Sequence, residues 1–228
     1  MRLIRLLTAS AAALTLAFAA PASAAPVELT DAQLAAAVLL PADVPDAGWT
    51  AAAPGTLEPE PHTQADATDG GWCGGPTDPY TADALGTSGR AATILSKVPA
   101  PDEPYWFIWE ALYSFSETSS ATAVQQAKSF MTTTKTVATS CPSWTTAGEP
   151  INSVTPALVP IARVGKQRFA VHLTIAGDGL TSEGDVVYVR VANNVVVIHT
   201  RILPVNPTLL ASTVKKAVKK VKAAAAAA

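Results

Sequence analysis

The sequence predicts an α+β fold: a single domain in which one antiparallel β-sheet carries packed helices. Three observations lead there. The stretches "RFAVHLTIA" (168–176) and "GDVVYVRVANNVVVIHTRI" (184–202) alternate apolar and polar residues with a period of two, the mark of strands. Residues 118–138 and the tail from Asn206 instead space their apolar residues as helices do. Roughly two hundred residues follow the leader without a later shift in composition, which suits one domain, 25–228, large enough to bury a core.

The chain opens on Arg2 and Arg5, an apolar run from Leu6 to Ala20, and then Pro21-Ala22-Ser23-Ala24, whose small residues fit a signal peptidase. Cleavage is expected after Ala24, which removes 1–24 and makes the product secreted and extracellular. No cysteine stands at the cleavage site to take a lipid. A spanning helix needs about 20 strongly apolar residues, and no stretch supplies them, so no transmembrane segment is expected.

Thr30 before "DAQLAAAVLL" reads as a capped helix stopped by Pro41. From 41 to 75 the chain is rich in Pro, Gly and acidic residues, which predicts a long surface loop; His62 lies in it without a second ligand nearby. "RAATILSKV" (90–98) and "YWFIWEALYSF" (105–115) form a hairpin across "PAPDEP". In the second run Tyr105, Phe107, Trp109, Tyr113 and Phe115 share one face and Trp106, Ile108 and Leu112 the other, as in a strand covered on both sides. That stripe reads first as core and second as a stacking platform for a ring-shaped ligand.

The helix over 118–138 packs Val124, Ala127, Met131 and Val137 on the sheet and leaves Lys128 and Lys135 outside. "GDGLTSEGD" (177–185) reads as a solvated turn, its carboxylates Asp178, Glu183 and Asp185 lacking calcium-loop spacing. In the tail Asn206 caps and Pro207 starts a basic helix over 207–225, with Leu210, Val214, Ala217 and Val221 on one side. Lys215, Lys216, Lys219, Lys220 and Lys222 cover the remainder, an arc suited to weak contact with an anionic surface.

Candidate binding residues come from the last hairpin. A two-residue turn at Asn193-Asn194 pairs Tyr188 with His199, Arg190 with Val197 and Val186 with Arg201. Tyr188, Arg190, His199 and Arg201 then share a face that is either the wet side of the sheet or a surface for anionic or polar ligands. If 168–176 pairs beside it with Phe169, Val171, Leu173 and Ile175 inward, Arg168 and His172 join that polar face. Histidine there makes binding pH-dependent.

Other chemistry finds little support. Cys73 and Cys141 in an exported chain read as one structural disulfide worth roughly 4 kcal/mol in the loop-entropy picture. Their spacing fits neither a thiol-redox pair nor zinc, and no metal site, cofactor loop or serine-nucleophile elbow is present in the sequence. With 16 basic against 18 acidic residues, two of the basic ones lost with the leader, no nucleic-acid partner is expected.

The layout as a whole resembles a known family. "LLPADVPDAGW" after an opening helix, a cysteine behind a long loop, aromatic strands, a helix between "FSETSSATAV" and "SCPSW", then paired strands and a basic tail helix resemble the extracellular sensor domain of the actinobacterial serine/threonine kinase PknH and the secreted or lipid-anchored proteins that share it. The likeness runs over residues 28–222. It implies a mixed α+β domain with a cleft for an unknown ligand and a role in sensing, not catalysis. Cys73 and Cys141 fit one bridge of that pattern, while partners for a second disulfide, a kinase domain and a membrane helix are missing. The expected function is therefore a secreted, non-enzymatic module binding a small-molecule or cell-envelope ligand. Two other classes stay open: a hydrolase with dispersed acidic residues, and an envelope interaction protein acting through the basic helix.

Overall fold

The computed structural model describes residues 26–51, 87–98, 106–140, 143–145, 153–177, 179–201 and 206–228. The leader, His62, Asp178, Cys73 and Cys141 lie outside them, as does most of the 41–75 loop. In chain order the elements are α1 (Asp31–Ala37), a 3-10 turn (Pro41–Asp43), β1 (Thr50–Ala51), β2 (Thr87–Lys97), β3 (Trp106–Phe115) and α2 (Ala123–Ser140). They continue with β4 (Trp144–Thr145), β5 (Ser153–Val159), β6 (Gln167–Gly177), β7 (Leu180–Val191), β8 (Asn194–Arg201) and α3 (Pro207–Ala227).

Among the described residues the strands form one eight-stranded sheet in the order β1-β2-β3-β8-β7-β6-β5-β4, antiparallel throughout. The β2–β3 hairpin comes first, α2 crosses the sheet, and a meander from β4 to β8 returns to pair with β3. The two edges are strands of only two residues, which offer little backbone for pairing with another chain.

Both sheet faces are covered, so the α+β expectation holds with three layers. On one side α1 and α3 bury Leu34, Ala37, Leu209, Val214 and Val221 against Leu95, Ile108, Leu112, Val187, Val189, Val196 and Ile198. On the other, α2 presents Phe130 and Met131 to Tyr113, Phe115, Phe169, Val171, Tyr188, Val195 and Val197. The face read from sequence as wet is therefore a second core. Central strands buried on both sides read as near-continuous apolar runs, so alternation alone does not say which face is dry.

Each helix begins on a side-chain cap. Thr30 and Gln33 form a capping box, with the Gln33 N–H donating to Thr30 Oγ1 at 3.3 Å and the Thr30 N–H to Gln33 Oε1 at 2.8 Å. Thr122 and Gln125 repeat it for α2, which is why this helix starts at Ala123 and not at the expected Thr118. At α3 the Leu209 N–H donates to Asn206 Oδ1 at 3.0 Å and Pro207 takes the first turn. Asn206→Ala is expected to cost about 1 kcal/mol, read as a lower urea midpoint at unchanged slope.

Three local expectations need correction. The last hairpin turns at Ala192-Asn193, one residue early, so Tyr188 faces Val197, Arg190 faces Val195 and Val186 faces His199. Ala192 takes a positive φ of 55°, and Asn193 is drawn onto the end of β3, its Nδ2 donating to the Phe115 carbonyl at 3.0 Å while its own carbonyl accepts from the Phe115 N–H at 3.1 Å. That docking between distant segments outweighs the local preference for Asn-Asn. Next, "LTSEGD" is strand and not turn, because Gly177 pairs directly with Leu180, with Gly179 at φ 74°. Finally, the loop expected from Pro41 first forms the 3-10 turn, buries Trp49 and adds β1 to the sheet edge.

Candidate ligand-binding groove

The meander builds a groove where β5 ends and β6 begins. β5 stops at Val159, and the chain loops through Ile161 and Arg163 before entering β6 at Gln167. Gly165 presses this loop onto β7 with φ 67°; a Cβ there would lie 2.4 Å from Val189 Cγ1 and 2.9 Å from the Arg190 carbonyl oxygen, so only glycine fits. The next residue's N–H donates to that same Arg190 carbonyl at 3.4 Å, fixing Lys166 and Gln167 at the groove's rim. Lys135 from α2 closes the other side.

The groove has a volume of about 410 Å³ and is lined by Lys135, Leu158, Ile161, Lys166, Gln167, Arg168 and neighbouring strand residues. Three of these are cations, and among the described residues no acidic side chain lines it. Behind it lies Arg190, only 6 % exposed, opposite Gln167 in the β6–β7 register. Its Nε–H donates to Gln167 Oε1 at 3.1 Å and its Nη1–H to the Ala192 carbonyl at 2.7 Å. Among the described residues no carboxylate pairs with it. Burial pushes the guanidinium below its ordinary value, since a desolvated cation without a counter-ion is costly.

The six residues singled out from sequence do not form one patch. Tyr188 is fully buried, its ring stacked on Phe169 at 4.6 Å between centroids and 13° between planes. His199 and Arg201 share its side of the sheet but sit further along β8, His199 half-buried with its ring edge-on to Phe107 at 5.2 Å and Arg201 exposed. His172 and Arg168 leave β6 on the opposite face, because Phe169 and Val171 pair with Tyr188 and Val186. There His172 Nδ1 lies 2.9 Å from Asp185 Oδ1, a carboxylate that is buried and not solvated as its expected turn position implied. Arg190 follows Tyr188 on the same face of β7 and holds Gln167, whereas Arg168 lines the groove from the other face of β6.

Gln167, Lys166 and Lys135 were missed as a set. The usable signal was "GKQR" (165–168), a glycine and two cations at a strand start, but the approach of Lys135 depends on how α2 crosses the sheet. The aromatic stripe also divides: Tyr113 and Phe115 are core under α2, whereas Phe107 and Trp109 are half-buried beyond it. On α3, Lys216 and Lys220 both reach Asp43, at 3.1 and 2.7 Å, and Lys215, Lys219 and Lys222 are exposed without an ion pair among the described residues. Among the described residues no helix is long and apolar enough to cross a membrane, and no three His, Cys, Asp or Glu side chains gather as metal ligands.

The sequence matches no protein-family model and no curated protein. The fold matches the crystal structure of the extracellular domain of PknH from Mycobacterium tuberculosis, with a TM-score of 0.58 over 87 % of this chain and 100 % of that one, at 17 % sequence identity. The resemblance read from the order of motifs is therefore a resemblance in three dimensions as well, and at that identity it speaks for the fold.

Proposed function

We propose that this chain, sharing the fold of a kinase's extracellular sensor domain, is a secreted, non-catalytic ligand-binding module whose groove takes up an anionic ligand. The observation that carries the reading is a buried arginine without a carboxylate partner among the described residues, set behind a groove lined by three cations and no acid. A protein gains nothing in stability from such an arrangement. Clustered like charges repel, and a desolvated guanidinium has a cost that an incoming anion offsets. The sensor-like fold and the leader read at residues 1–24 support a role at the cell envelope.

The test is thermal unfolding of the mature protein in citrate or inorganic phosphate against chloride at matched ionic strength. A ligand that prefers the native state raises Tm in proportion to the logarithm of its concentration. Both anions are expected to do so, and the Lys135→Ala/Lys166→Ala pair is expected to lose the response while its Tm in chloride stays within about 2 °C, since exposed lysines carry little stability. Equal Tm in all three salts would remove this function.

A further inference from the structure

Arginine cannot accept a hydrogen bond, so the 3.1 Å contact between Arg190 Nε and Gln167 fixes which end of the amide is which. The Oε1 atom is held behind the groove wall. Whatever Gln167 offers a ligand must then come from its Nε2–H₂ group, a donor. Lys135, Lys166 and Arg168 have only donors as well, so the side chains that line the groove present hydrogen to a ligand and no free acceptor.

We infer that Arg190 is a positioning residue that turns Gln167 into a donor, and that the groove consequently selects a compact oxyanion rich in acceptor oxygens, a phosphate or a polycarboxylate. This rests on the anion-binding reading above and narrows it. Lysine and arginine attract any negative charge through space, but an oriented amide discriminates by geometry, because a ligand group that is itself a donor meets another donor there and leaves both unpaired. The burial of Arg190 serves the same end. An arginine locked by Gln167 and by the Ala192 carbonyl at 2.7 Å has little freedom to release the amide.

The test follows the Gln167 side-chain amide by ¹⁵N–¹H NMR during titration with inorganic phosphate and, separately, with citrate. In the wild type its Nε2–H₂ signals should move downfield along the binding curve, and the anion that moves them at lower concentration identifies which source of oxyanion the site prefers. Gln167→Met removes the donor without changing charge and should weaken binding by about tenfold, equivalent to roughly 1.4 kcal/mol. Arg190→Met should abolish the amide shift; should that variant not fold, Gln167→Met decides alone. Binding that persists with unmoved Gln167 signals, or with full affinity in Gln167→Met, overturns the orientation argument and leaves the groove standing. Failure of the wild type to bind either anion overturns both.

Discussion

Tyr188→Ala is expected to cost about 3–5 kcal/mol of unfolding free energy, the range for deleting a large buried ring. Tyr188 is fully buried at the centre of the layer between the sheet and α2, stacked on Phe169 and 6.5 Å from the Phe130 ring. Those two rings stand on β6 and α2, so the substitution opens a cavity where β6, β7 and α2 meet. Chemical denaturation of the folded variant checks the value. A loss below about 0.5 kcal/mol is what a solvated sheet face would give, and that result would mean α2 does not cover this face.

The same residue marks where sequence reading ended. Parity along β7 and β8 was legible: Tyr188, Arg190, His199 and Arg201 do lie on one side, and the slip of the turn by one residue left that grouping intact because it moved the register by two. The side on which β6 presents Phe169 was not legible. "RFAVHLTIA" carries apolar residues at both parities around Ala170, so neither the phase nor the partner face could be read from period alone. Caps were legible because they are chemistry within four residues, as at Thr30 and Asn206. The groove was not, since it needs Lys135 to arrive from a helix some thirty residues before β6.

One further residue stood in plain view in "YWFIWEALYSF". Glu110 interrupts the apolar face of Trp106, Ile108 and Leu112, and it is fully buried beneath α1 and α3. Its Oε2 accepts the Leu39 N–H, a donor left over where α1 ends, while Oε1 meets no partner among the described residues. Lys220 spans the same corner, donating to the Val38 carbonyl and to Asp43, so the carboxyl sits at the joint that ties α1, the 3-10 turn and α3 to the sheet.

Stability is expected to fall by about 2 kcal/mol between pH 6.5 and 8, and Glu110→Gln should remove that fall. Burial pushes Glu110 up to about 8 from 4.5, against the opposing pull of the Leu39 N–H and Lys220. Between those values the folded state holds a proton that the unfolded chain has released, so each step up in pH favours unfolding; the contribution is complete below about 4.5 and gone above about 8. His199 works in the other direction, since burial holds it down to about 4 from 6.5 and the unfolded chain binds the extra proton across that range. From pH 4.5 to 6.5 the two slopes cancel and stability is level. Below this plateau Asp43 governs: burial draws its carboxyl up, but Lys220, the Leu40 N–H and Lys216 hold it down to about 2, so stability declines as acid protonates it. Denaturation midpoints taken from pH 3 to 8.5 should trace a rise, a plateau and a fall. In Glu110→Gln the plateau becomes a continued rise to pH 6.5, because His199 is then unopposed, and the curve stays level above it. A variant that keeps the alkaline decline would show that another group holds the proton.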